Sequence, residues 1–109
     1  MLSKLLFRLN QVIRGQVPGG YDIKYNGNVR NGEVYYSEGT TKLCFHQELG
    51  GGTCMMYIDV PSKDKWEQLT HTPLSRRTEI LDRVGQYMQK LSASDWNYEV
   101  QDDMIYFFK

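Results

Sequence analysis

The sequence predicts an α+β domain: an antiparallel meander sheet of about six strands, with one long helix in the C-terminal half packed on a face and an amphipathic N-terminal helix. Three observations carry this. Residues 21–26 and 42–48 alternate side chains with period two, and the stretch 21–60 is broken at intervals by glycine and asparagine turns. Residues 73–92 switch to the helical period. Residues 96–108 return to short strands around Gln101-Asp102-Asp103. At 109 residues, the chain 1–109 is expected to be a single domain. It has enough length to bury roughly two thirds of its unfolded surface without disulfide or metal staples.

Residues 1–14 are expected to form the N-terminal helix, with Leu2, Leu5, Leu6, Leu9, Val12 and Ile13 on one stripe and Gly15 and Pro18 ending it. Phe7 falls opposite that stripe, among Lys4, Gln11 and Arg14, as an anchor for a partner or a membrane surface, or as an aromatic lying over a neighbouring loop. Tyr21–Asn26 is a first strand and Glu33–Ser37 a second, separated by the turn dipeptides Gly27-Asn28 and Asn31-Gly32. Thr41–Glu48 follows, with Leu43, Phe45 and Gln47 on one face and Lys42, Cys44, His46 and Glu48 on the other. Gly50-Gly51-Gly52 then turns the chain into Cys54–Val60, which reads as a central strand apolar on both faces.

Pro61 ends the sheet, and Ser62 is the expected cap of a short helix presenting Trp66 and Leu69 to the core. Thr72 and Pro73 are the expected cap and first residue of the long helix, whose stripe is Ile80, Leu81, Val84, Tyr87, Met88 and Leu91. The expected core is Phe45, Tyr57, Ile58, Val60, Trp66, Leu81, Val84 and Met88.

Composition narrows function more by exclusion than by assignment. Thirteen basic and thirteen acidic side chains cancel, unlike a dedicated nucleic-acid binder. No segment approaches the about 18 apolar residues of a membrane span. Lys4, Arg8 and Arg14 interrupt any signal-peptide core, and two cysteines make no secreted disulfide framework. A cytoplasmic protein with free thiols is expected. No cofactor is implied: the three glycines lead into a strand, with no Lys-Ser or Lys-Thr after them to hold phosphate. Cys44, Cys54, His46 and His71 lack the close pairs of a zinc site.

Two chemical constellations remain. If the glycine turn pairs residues whose numbers sum to 100, Cys54 lies opposite His46 as a nucleophile–base pair, and Asp59 is the other group that would serve a small hydrolase or transferase. Arg76 and Arg77 open the long helix, where the macrodipole disfavours cations, and Arg77 falls on the apolar stripe. Together with Phe7 they are candidate partner-binding residues, the alternative being an arginine whose stem packs and whose head pairs with Asp59 or Glu79.

Gly50-Gly51-Gly52, Tyr57-Ile58-Asp59-Val60-Pro61-Ser62, Trp66-Glu67, Pro73-Leu74, Arg76-Arg77, Glu79-Ile80-Leu81 and the Asp102-Asp103-x-Ile105-Tyr106 ending resemble a group of small uncharacterised bacterial α+β proteins, some of them similar to immunity proteins of polymorphic-toxin systems. The likeness spans residues 33–109 and brings no catalytic motif. It implies a stand-alone domain that would bind and block a toxin, and it gives no residue a role. Non-enzymatic binding of another protein is therefore the expected function. The alternatives are the hydrolase or transferase built on His46, and a structural homodimer using Phe7 and exposed tyrosines.

Overall fold

The computed structural model of the protein describes residues 20–28, 30–92 and 95–109. The expected helix over residues 1–14, with Phe7, lies outside them. The described chain forms β1 (Tyr21–Gly27), β2 (Asn31–Glu38), β3 (Thr41–Leu49) and β4 (Met56–Asp59), then helix α1 (Lys63–Thr70) and a 3-10 turn (Leu74–Arg76). Helix α2 (Arg77–Ser92) and strands β5 (Asn97–Val100) and β6 (Met104–Phe108) complete it. The six strands make one sheet in the order β1-β2-β3-β4-β6-β5, and every neighbouring pair is antiparallel. The meander thus holds for four strands only, because β6 inserts between β4 and β5.

Alternation decides which side of each strand meets the helices. Val34 and Tyr36 of β2, Phe45 and Gln47 of β3, Met56 and Ile58 of β4, and Ile105 and Phe107 of β6 are buried on one face. Trp66 from α1 and Ile80, Leu81, Val84 and Met88 from α2 complete a single core against it. The buried Gln47 is tied to β1, its Oε1 accepting from the Tyr25 hydroxyl at 2.6 Å. No helix of the described residues is long and apolar enough to cross a membrane.

The turns account for the registers. Between β2 and β3 only Gly39 and Thr40 intervene, and Gly39 has φ 62° at the first central position, where a type II′ hairpin requires glycine. That tight turn sets Glu38 against Thr41 and Glu33 against His46. The glycine-rich link is longer than a bare turn. Strand β3 runs to Leu49, β4 begins only at Met56, and the pairs are Gln47–Ile58, Glu48–Tyr57 and Leu49–Met56. The expected sum of 100 is corrected to 105, an odd shift, and an odd shift exchanges the two faces. Tyr57 accordingly leaves the expected core: it lies half-buried on the opposite face, while the other seven expected core residues are buried.

Three local expectations at the helices are also corrected. Leu69 is 58% exposed, since α1 presents only Trp66 to the core. Ser62 makes no side-chain cap; Asp102 Oδ1 from the β5–β6 turn accepts from the Lys63 N–H at 3.0 Å instead. Pro73 is extended, with ψ 142°, so it precedes the helical turn rather than opening it, and the Thr72 hydroxyl donates to the Thr70 carbonyl.

Gly85 lies buried in the middle of α2, where a Cβ would stand 2.6 Å from Cε1 of Tyr98 on β5. The ring occupies the space a side chain would need. Gly85→Ala would gain about 1 kcal/mol of helix propensity. The collision costs about 1–3 kcal/mol. A net loss is expected, and in a Tyr98→Ala background the same change becomes stabilising. Urea melts of the four proteins measure the reversal.

Candidate functional site

Two polar constellations stand out in the described residues, and they lie on opposite sides of the sheet.

The first joins the core face to the start of α2. Glu38 Oε1 accepts from Arg76 Nη2 at 2.8 Å, from the Tyr36 hydroxyl at 2.7 Å and from Arg83 Nη1 at 3.4 Å. Glu79 accepts from Arg76 and Arg83 at 3.1 and 2.7 Å, and the Arg83 guanidinium stacks on Tyr21 at 4.1 Å. Burial, and then the hydrogen bond to Glu38, push the Tyr36 hydroxyl up to about 12. Burial opposes ionisation of Glu38. The hydrogen bonds from Tyr36 and Arg76 and the charges of both arginines outweigh it and hold the carboxyl below the usual carboxylate range. This closed network fastens α2 to β2. Arg76 keeps its side chain 34% exposed, at the rim.

Arg77 is placed otherwise than a partner-binding role requires. It is only 4% exposed. Its Nη2 donates to the carbonyls of Pro61, Gln101 and Asp102 at 3.0, 3.4 and 2.6 Å, and Nε also reaches Pro61. It pairs with neither Asp59 nor Glu79: the ion pairs to Glu79 come from Arg76 and Arg83. These hydrogen bonds all go to backbone carbonyls of the fold itself.

The second constellation lies on the sheet face left open by the described helices. His46 is its centre, with the side chain 42% exposed. Its Nε2 lies 2.9 Å from Glu48 Oε2, two residues along β3, and its Nδ1 lies 3.6 Å from Glu33 Oε2 on β2. The hydrogen bond with Glu48 raises the imidazole pKa; desolvation opposes it, and the contact with Glu33 adds to the rise. A carboxylate at each nitrogen favours the protonated imidazole, which opposes a role as general base. Because its folded pKa is raised, His46 favours the folded state fully below its unfolded value, and that contribution is lost as pH rises through the folded value. Glu48→Gln should bring the His46 pKa down further than Glu33→Gln does, because its contact is the shorter. Proton NMR titration of the imidazole measures both; a larger effect at Glu33 would reverse the assignment.

Aromatic side chains surround this clamp. Tyr35 of β2 is 40% exposed beside the exposed Cys44. Across β3, β4, β6 and β5 one row reads Glu48, Tyr57, Tyr106, Glu99. Tyr106 stacks on Phe108 with centroids 5.5 Å apart, and its hydroxyl meets Thr53 Oγ1 at 3.2 Å. One register step beyond Gln47–Ile58 sets Asp59 on the same face as His46.

The expected pairing of Cys54 with His46 does not occur. Cys54 sits in the loop before β4, its thiol donating to the Met56 carbonyl at 3.4 Å. Burial raises the pKa of both thiols, with the Glu33 charge adding to the effect at Cys44, so both are held as thiols. The two cysteines are free. Among the described residues, no three His, Cys, Asp or Glu side chains are grouped to hold a metal ion.

The fold and this face define a two-layer α+β domain with one face of its sheet carrying tyrosines and carboxylates. No protein-family model, curated protein or solved structure matches the chain.

Proposed function

We propose that this is a non-enzymatic protein-binding domain whose contact surface is the open sheet face, and that its binding neutralises a toxin. One observation carries the reading: Tyr35, Tyr57, Tyr106 and Phe108, none of them buried, share a face rigidly positioned by six strands. Tyrosine gives large contact area at low entropic cost, and aromatic residues are enriched where proteins meet. Chemistry has less support there. His46 is clamped by two carboxylates, and both thiols are pushed away from ionisation. Toxin neutralisation follows the resemblance of residues 33–109 and needs only such a surface.

The test is affinity capture with the tagged chain from the cells that encode it, beside a Tyr57→Ser/Tyr106→Ser variant whose fold is checked by circular dichroism. A partner that binds stoichiometrically to the wild type and is lost from the folded variant supports the proposal. A partner retained equally by both removes this face from the interface. Growth arrest by the partner expressed alone, relieved by co-expression of this chain, is the expected sign of neutralisation.

A further inference from the structure

Building on the reading of the open face as a contact surface, we infer that its occupant is a basic segment of a partner protein, held by Glu33, Glu48, Asp59 and Glu99 around Tyr57 and Tyr106, and that His46 is the internal cation the segment displaces. The arrangement of charge is the argument. Glu48 and Glu99 bracket the two tyrosines in one cross-strand row, and Glu33 and Asp59 belong to the next. From Glu48 on β3 to Glu99 on β5 the row crosses three strand intervals, about 14 Å, close to four residues of an extended segment. Cations four residues apart would reach both ends while their stems cross the tyrosine rings, where guanidinium groups are also attracted to the π face.

The carboxylates are poorly neutralised from within. Glu33 and Glu48 share one histidine, and Asp59 and Glu99 have no ion pair to another described residue. Lys24 and Lys42 lie on the same face toward the other end of β1 and β3. An apolar occupant would have to strip water from four carboxylates without replacing it, whereas a basic one pairs them. The cost falls on His46, whose two N–H groups in the charged form already face Glu33 and Glu48. The groups facing it are Glu33 from β2, Glu48 on its own strand and Asp59 from β4, with Cys44 and Tyr57 neutral near pH 7. Deprotonating His46 removes its positive charge and one of its two N–H donors, leaving both carboxylates without a counter-charge, so binding should tighten as pH rises from 6 to 8.

The probe is a decapeptide of alternating arginine and serine, titrated into the isotope-labelled full chain and followed by NMR, with an alternating glutamate–serine peptide as control. The arginine peptide should shift the amides around Glu33, Glu48, Tyr57 and Tyr106, and the glutamate peptide should shift none of them. Glu48→Gln/Glu99→Gln should weaken binding about tenfold, the loss of two charge-assisted contacts. Affinity should rise about two- to fivefold between pH 6 and 8, the effect of one exposed charge, and this rise should vanish in His46→Gln. Shifts centred elsewhere, equal binding of the acidic peptide, or a pH response unchanged in His46→Gln would overturn the inference. Concentration-dependent shifts of the same amides without peptide would assign the face to a second copy of this chain, and likewise overturn it. If the arginine peptide fails while Tyr57→Ser/Tyr106→Ser still releases the captured partner, the face remains a contact surface and only the basic occupant is wrong. If both fail, the contact surface itself is wrong.

Discussion

Trp66→Ala is expected to cost about 3–5 kcal/mol, a large share of the stability of a domain this size. The indole is fully buried where α1, the 3-10 turn and the start of α2 meet. Its Nε1 donates to the Pro73 carbonyl at 3.2 Å, and the Arg77 guanidinium lies 5.8 Å from its ring. Alanine would leave a cavity and a guanidinium without its aromatic neighbour, and the Pro73 carbonyl would keep only the hydrogen bond from the Arg76 N–H. Trp66→Phe keeps most of the volume and loses the N–H, so it should cost less, about 1–3 kcal/mol. Urea denaturation measures both. A loss below about 1 kcal/mol for the alanine variant would mean that α1 unfolds separately from the rest.

Arg77→Ala should cost about 2–4 kcal/mol, from two or three charge-assisted hydrogen bonds and the packing of the stem. The guanidinium joins Pro61, just after β4, to Gln101 and Asp102 in the β5–β6 turn. Arg77→Lys should recover less than half of the loss, because a single ammonium cannot reproduce a planar fork aimed at separate carbonyls. The Trp66 and Arg77 losses should also sum to more than the double variant loses, since the two side chains touch. Additivity within about 0.5 kcal/mol in a four-protein cycle would show that the stacking carries no energy.

The element assignments were legible because period two and period 3.6 differ plainly in this chain. What misled was long-range geometry. Arg77 stood out in the sequence as a cation on an apolar stripe at the wrong end of a helix. The carbonyls that explain it lie 16 and 25 residues away, so the oddity read as a possible binding site when it is a tie between loops. Leu69 has helical spacing from Trp66, yet α1 is too short and too peripheral to bury more than one side chain. The open face was half legible. His46 and Glu48 are two apart in one strand and must share a face. Glu33 follows from the two-residue turn at Gly39-Thr40, which permits one register. The place of Asp59 depends on the six residues between β3 and β4, where local rules allow several pairings. The odd shift there moved Tyr57 from the expected core to the open face.

The position of β6 bears on how the chain is made. Strand β4 shares three residue pairs with β3 and four with β6, so much of its ladder is supplied by residues 104–107. A ribosome adding about 5–20 residues per second takes on the order of several seconds to go from Asp59 to Phe107. For that interval Met56–Asp59 carries an unpaired edge with Met56 and Ile58 on its apolar side, a template for pairing with another nascent chain. The finished domain has no such edge at β4. Slow translation between 60 and 104 would therefore raise the aggregated fraction while leaving the melting temperature of the soluble protein unchanged.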